Sequence, residues 1–128
     1  MDLVFEKKSN KSLADAMASV KENLKEHQFG VLFELNFKDK LGEKGLELAD
    51  DYYILEVCNP SEAKKVLDMN IQAGYVLPCK MVVRKEGEDT YIGMTSASTL
   101  MSHYDNKEML EFAEGIEDTL KKVINASL

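Results

Sequence analysis

The chain has 128 residues and a formal net charge of −7, from 23 acidic and 16 basic side chains. A chain of this length forms one domain and can fold without a metal or disulfides. Its negative charge, with no basic cluster free of neighbouring acids, argues against nucleic acid and anionic membranes as partners. We therefore expect a single domain over residues 1–128.

The cellular location is predicted from the same composition. The first residues, MDLVFEKKSN, lack the basic and apolar regions of a signal peptide, and no apolar stretch approaches the ~20 residues that cross a bilayer. Two cysteines are too few for a disulfide framework. These features predict a cytoplasmic protein with reduced thiols.

The first half of the chain predicts two strands around a helix. Residues 1–6 read as a short strand and residues 7–11 as a polar connection. Ser12 is placed to cap a helix, whose apolar stripe is Leu13, Ala16, Met17, Val20 and Leu24. Residues 31–37 alternate in polarity, which predicts a strand with one clearly buried face. Charges and glycines in residues 39–51 indicate a short helical turn and a loop.

The second half predicts three strands and two helices. Residues 52–58 form a strand rich in β-branched and aromatic side chains, and Asn59 with Pro60 begins the next helix. A turn follows over residues 68–75. Strands over 80–86 and 90–95 form a hairpin around Gly87. After a loop or helical turn, Asp105 begins the last helix, with a buried stripe of Met109, Ala113, Ile116, Leu120 and Val123.

The predicted order is β-α-β-β-α-β-β-α, which indicates the α+β class. We expect a five-stranded antiparallel or mixed sheet with three main helices packed on one side.

Three segments carry a resemblance to a known family. They are FGVLFELNFKDKLGEKG at 29–45, LEVCNPSEAKKVL at 55–67 and LPCKMVV at 77–83. In this order they resemble the domain of unknown function 302 family over nearly the whole chain. The resemblance implies a compact domain related to split β-α-β folds, and it implies no activity.

Cys79 and Glu56 are the residues most open to a chemical role. Cys79 lies between a loop and a strand beside Lys80, and a nearby cation favours the thiolate; a small buried apolar residue is the alternative. Glu56 interrupts an apolar strand, where burial would raise its pKa. The alternative is a face open to water, or an ion pair with Arg84. Cys58 is expected in the core.

No metal site is expected, because His27 and His103 lie in no ligand motif. No motif indicates a nucleotide or a serine nucleophile, and the cofactor stays unknown. Asn59 is explained by helix capping, although the free amides of a helix start also attract anions.

The absence of a catalytic motif predicts a binding or accessory domain for a small apolar ligand or a protein partner, with a homodimer as one arrangement. The predicted pocket lies between the helix after Asn59, the 69–79 loop and residues 96–104, and it includes Tyr75, Met101 and Tyr104. The alternative is a thiol-dependent redox or transfer enzyme that uses Cys79, with Glu56 accepting a proton. A purely structural subunit of a larger assembly is a third hypothesis.

Overall fold

A computed structural model describes residues 2–128, so the first residue of the predicted strand 1–6 lies outside the described chain. The strands are β1 Val4–Ser9, β2 Gly30–Asn36, β3 Tyr52–Cys58, β4 Cys79–Glu86 and β5 Asp89–Thr95. The α-helices are α1 Leu13–Glu26, α2 Phe37–Gly42, α3 Pro60–Met69, α4 Ala97–Met101 and α5 Lys107–Ser127, and a 3-10 helix spans Ile71–Tyr75. The predicted order of five strands and three main helices is confirmed.

The five strands form one sheet in the order β1-β5-β4-β3-β2, and every pairing is antiparallel. Four antiparallel steps separate β1 from β2, so these two edge strands run in the same direction. They are joined through α1, and three strands lie between them. This is a split β-α-β arrangement, as expected from the sequence.

Side-chain caps fix where the helices begin. Ser12 accepts a hydrogen bond from the Asp15 amide, and Asn59 accepts one from the Glu62 amide, as predicted. The last helix differs slightly from the prediction, because Asn106 rather than Asp105 is its cap. Each cap satisfies an amide that the first helical turn leaves free.

The main apolar core lies between one face of the sheet and the helices α1 and α5. The sheet contributes seven buried side chains from its three central strands, namely Leu55, Val57, Cys79, Met81, Val83, Ile92 and Met94. The predicted stripes face them: Ala16 to Leu24 of α1 and Ile116 to Val123 of α5 are in the same cluster. Apolar burial of this kind contributes about 25 cal/mol per Å².

A second, smaller core lies at one end of the sheet. It joins α3, the 3-10 helix, α4 and the start of α5, and its buried members are Val66, Ala73, Ala97, Met101, Met109 and Ala113. This core holds the segments that connect the strands at that end.

The first two strands differ from their predictions. β1 continues to Ser9, because residues 7–9 of the predicted polar connection at 7–11 pair with β5. β2 is an edge strand whose register shifts between Val31 and Phe33, and it exposes both side chains as well as Leu32. The predicted buried face on this strand was wrong, since the bulge turns Val31 and Phe33 to opposite sides.

The sheet face opposite α1 and α5 is called the open face below. Cross-strand pairing places three rows of side chains on its central strands β3 and β4: Glu56 beside Lys80, Ile54 beside Val82, and Tyr52 beside Arg84. In the described chain, residues 2–128, no side chain of these rows belongs to either apolar core.

Candidate functional site

A cleft of about 380 Å³ opens where the end of the sheet meets two connecting segments. One wall is Tyr75–Lys80, which leads from the 3-10 helix into β4. The opposite wall is formed by Thr95, Ala97 and Leu100, where β5 passes into α4, and Glu56 completes the lining. The predicted pocket was bounded by these two segments, 69–79 and 96–104, and also by the helix after Asn59, which does not line this cleft.

The walls of the cleft are held in place by local hydrogen bonds. Asn70 caps the 3-10 helix through the Gln72 amide, and the Leu77–Pro78 peptide bond is cis. On the other side, Ser96 caps α4 by accepting from the Thr99 amide. Short polar caps of this kind fix the chain direction at a turn.

The floor of the cleft belongs to the open face. Glu56 on β3 pairs with Lys80 on β4. The next residue of β4, Met81, pairs with Met94 of β5, so Lys80 lies beside Thr95. These three side chains form one row across the sheet. The cleft therefore combines apolar walls with one acid and one base.

Glu56 is half-buried, and its pKa is raised by burial, against a smaller opposing effect of the Lys80 charge. The expected alternative partner, Arg84, does not meet it. Arg84 instead donates to Glu6 through Nε and Nη2, both at 3.0 Å, and to Glu86 at 3.2 Å. Lys80 is the cation whose charge lowers the pKa of Glu56.

Cys79 is only 7% exposed and belongs to the main core. Burial raises the pKa of its thiol to about 12, with smaller contributions in the same direction from Cys58 and Glu56. Strand alternation directs Cys79 to the helix-covered face, while Glu56 lies on the open face. The geometry favours the interpretation of Cys79 as a buried apolar residue.

The second cysteine is also free. Cys58 is partly buried, and burial raises the pKa of its thiol.

The predicted ligand-binding residues occupy three different places. Tyr75 lines the cleft and is 90% exposed. Met101 is buried in the second core, and Tyr104 packs beside it and donates its hydroxyl to the Gln72 carbonyl at 2.9 Å. Asn59 caps α3 and lines a separate groove with His27 and Phe112. The structure brings Tyr75 and Glu56 to one cleft, where Cys79 belongs to the lining but its side chain lies in the main core, and Met101 and Tyr104 pack behind the walls.

A carboxylate behind the cleft was not singled out from the sequence. Glu117 on α5 accepts hydrogen bonds from the hydroxyls of Ser96 and Ser98 and from the Ser98 amide at 3.2 Å. Burial alone would raise the pKa of Glu117, but these bonds and the Lys121 charge together lower it. The carboxylate thereby ties the start of α4 to α5. Its only sequence signal is an acid between Ile116 and Leu120 of the buried stripe.

Two wider grooves have more charged residues in their lining. One, of about 610 Å³, lies beside α1 and is lined by charged side chains that include Lys21, Glu34 and Lys85. The other, of about 520 Å³, contains Asn59 and the acids Glu26, Glu62 and Glu111. Across residues 2–128, no three His, Cys, Asp or Glu side chains are grouped closely enough to hold a metal ion.

Within the described part of the chain, no helix is both long and apolar enough to cross a membrane.

The fold and cleft define a small α+β domain with a five-stranded antiparallel sheet and a narrow opening at one end. The model of the family called "Domain of unknown function DUF302" matches residues 5–127, and the chain belongs to this family. The chain is also similar to a solved structure, an uncharacterized conserved protein DUF302 from Bacillus stearothermophilus. The two share 34% identity with a TM-score of 0.96, and the match covers 100% of both chains. No curated protein matches the chain.

Proposed function

We propose that this protein is a small binding or accessory domain that takes an apolar ligand with a polar end in the cleft between Tyr75–Lys80 and Thr95–Leu100. The single observation that carries the proposal is the composition of this cleft, in which apolar walls converge on a floor with one acid and one base. Ligand sites are commonly apolar concavities with a few polar groups that fix orientation.

The polar end of the ligand would lie near Glu56 and Lys80. Their opposite charges allow either a cationic or an anionic group to be recognised, and a neutral hydroxyl can donate a hydrogen bond to the Glu56 carboxylate. The apolar part would contact Tyr75, Leu77 and Leu100. No reaction is required of these groups, which is why binding rather than catalysis is proposed.

A cytoplasmic location agrees with this role. Both cysteines are free, and reducing compartments preserve free thiols. The net charge of −7 agrees with a partner that is not a nucleic acid.

The ligand class can be tested with three matched probes: octanol, octanoate and octylamine. Each is titrated into isotopically labelled protein while amide chemical shifts are recorded. We expect the largest shifts in residues 75–80 and 95–100, and the preferred head group identifies whether Glu56 or Lys80 dominates. Shifts confined to the groove around Asn59, or no saturable shift with any probe, would contradict the proposal.

A pair of variants controls for nonspecific contact. Leu100→Trp fills the cleft and should weaken binding of the best probe by about tenfold or more, equivalent to about 1.4 kcal/mol. Leu46→Trp adds the same ring at a position that is 58% exposed outside the cleft, and it should bind like the unmodified protein. Equal affinity for both variants would remove the cleft as the binding site.

A further inference from the structure

The open face carries more apolar surface than a solvated sheet face requires. Ile54, at its centre, is already covered by its neighbours at 7% exposed, but Val82 and Leu35 beside it keep part of their surface exposed. Tyr52 and Tyr91 extend this surface toward one end, and Phe33, which is 51% exposed, extends it toward the other. Contiguous apolar surface of this kind marks an interaction site.

The charges of the open face are nearly balanced, although the chain as a whole is strongly acidic. Three basic and four acidic side chains lie on it, namely Lys8, Lys80, Arg84, Glu6, Glu56, Glu86 and Asp89. Five of them are already paired: Arg84 with Glu6 and Glu86, and Lys8 with Asp89. A second copy is therefore repelled less at this face than the net charge of −7 implies.

The two charges that remain, Glu56 and Lys80, are neighbours across strands and have opposite sign. A two-fold contact requires a surface that complements itself. Rotation by half a turn about an axis parallel to the strands, between β3 and β4, exchanges the places of these two strands. In each of the three rows, the β3 side chain of one copy then lies opposite the β4 side chain of the other copy.

We propose that two copies of this chain pack open face to open face about such a two-fold axis. Glu56 of one copy lies beside Lys80 of the other, Ile54 lies against Val82, and Tyr52 lies against the guanidinium of Arg84. Aligned packing of two sheets about 10 Å apart is a common arrangement, and an arginine over a tyrosine ring is favourable.

The size of the open face agrees with a second copy of the chain as its partner. Five strands spaced about 4.8 Å apart, with about 3.3 Å per residue, give a plane of about 24 by 23 Å. The pleat and side chains increase its accessible area toward the ~800 Å² per partner of a standard interface. Glu56 and Lys80 also line the ligand cleft, so dimerisation and ligand binding use the same two side chains and compete for them.

The test is the mass of the ligand-free protein, measured by light scattering and sedimentation equilibrium over about 1 to 100 μM, a range that brackets micromolar dissociation constants. We expect twice the 14.4 kDa of one chain. Glu56→Lys alone and Lys80→Glu alone should each raise the dissociation constant about tenfold, and the double exchange should restore it. A monomer throughout the range overturns the proposal, as does a dimer that ignores all three variants.

A second pair of variants separates the open face from the free edge of β2. Val82→Lys should give a folded monomer, whereas Leu32→Lys, at an edge position 63% exposed, should leave the dimer intact. The reverse result overturns the proposal in favour of edge pairing. Val82→Ser, which adds no charge, serves if Val82→Lys does not fold, and it should raise the dissociation constant severalfold. These measurements use no ligand, so their failure is distinct from failure of the binding proposal.

Discussion

At the scale of single residues, the two cysteines show how position in a sheet decides reactivity. Both cysteines are free and lie at the ends of neighbouring strands, yet Cys79 faces the main core and Cys58 is only partly buried. A thiol reacts through its thiolate. The pKa of about 12 at Cys79 leaves very little thiolate at neutral pH.

We therefore expect an alkylating reagent to modify Cys58 before Cys79 in the folded protein at pH 7 to 8. Peptide mass spectrometry over time gives the two rates, and the Cys58→Ser variant isolates Cys79. Its labelling should stay slow until denaturant unfolds the chain. Fast labelling of Cys79 near neutral pH in the folded Cys58→Ser variant would instead support the thiol-dependent enzyme.

Glu56 and Glu117 mark what the sequence did and did not reveal at this scale. Glu56 interrupts an apolar strand, so its unusual surroundings could be predicted from the printed residues alone. Glu117 lies among ordinary charged positions of a helix. Its role depends on Ser96 and Ser98, about twenty residues earlier in the chain, and no local pattern links them.

At the scale of elements, the short helix α4 depends on that carboxylate. Ser96 and Ser98 both donate to Glu117, whose side chain is 12% exposed, and α4 forms one wall of the cleft. A hydrogen bond to a charged group contributes more than a neutral one. Loss of the carboxylate should loosen this wall.

Glu117→Ala should lower the free energy of unfolding by about 1 to 3 kcal/mol at neutral pH, with Glu114→Ala, on the exposed side of α5, as the control. The pKa of Glu117 is lower in the folded state than its ordinary 4.5. Its contribution is therefore complete above about pH 4.5 and is lost as the pH falls through the folded-state value. Denaturant titrations at several pH values should show the gap between the two variants closing in acid; a gap that is constant with pH would contradict this account.

The helices were easier to predict than the edge strands. The stripes of α1 and α5 follow from spacing of three and four residues, which requires no knowledge of neighbours. β2 shows the opposite case. The alternating polarity of residues 31–37 correctly predicted a strand. This alternation does not reveal that the strand lies at the edge of the sheet or that it contains a bulge. The cap at Asn106 instead of Asp105 is a one-residue difference between two equally suitable side chains.

At the scale of the whole molecule, one main core connects elements from both ends of the described chain. Leu120 of α5 is fully buried in it together with Leu24 of α1 and Met81 of β4. Position on the stripe allowed this burial to be predicted. The open face could not be predicted in this way. The side of the sheet that the helices cover depends on the path of the whole chain and not on any one strand.

Leu120→Ala should lower the free energy of unfolding by about 2 to 5 kcal/mol, because it removes buried methyl groups and leaves a cavity. Lys122→Ala, two residues away on the exposed side, should change it by less than about 0.5 kcal/mol. Thermal and chemical unfolding of both variants tests the register of α5. Similar destabilisation by the two substitutions would show that the register is wrong.

The pairing of β1 with β5 has a consequence during synthesis. Val4 pairs with Thr95, and the Ser9 hydroxyl donates to the carbonyl of Leu128. On the ribosome, β1 therefore has no strand to pair with until β5 has emerged. The hydrogen bond from Ser9 to Leu128 forms only after α5 has been synthesised. Nascent chains arrested before residue 95 should resist proteolysis poorly in this segment, since order there is acquired after translation rather than along the way.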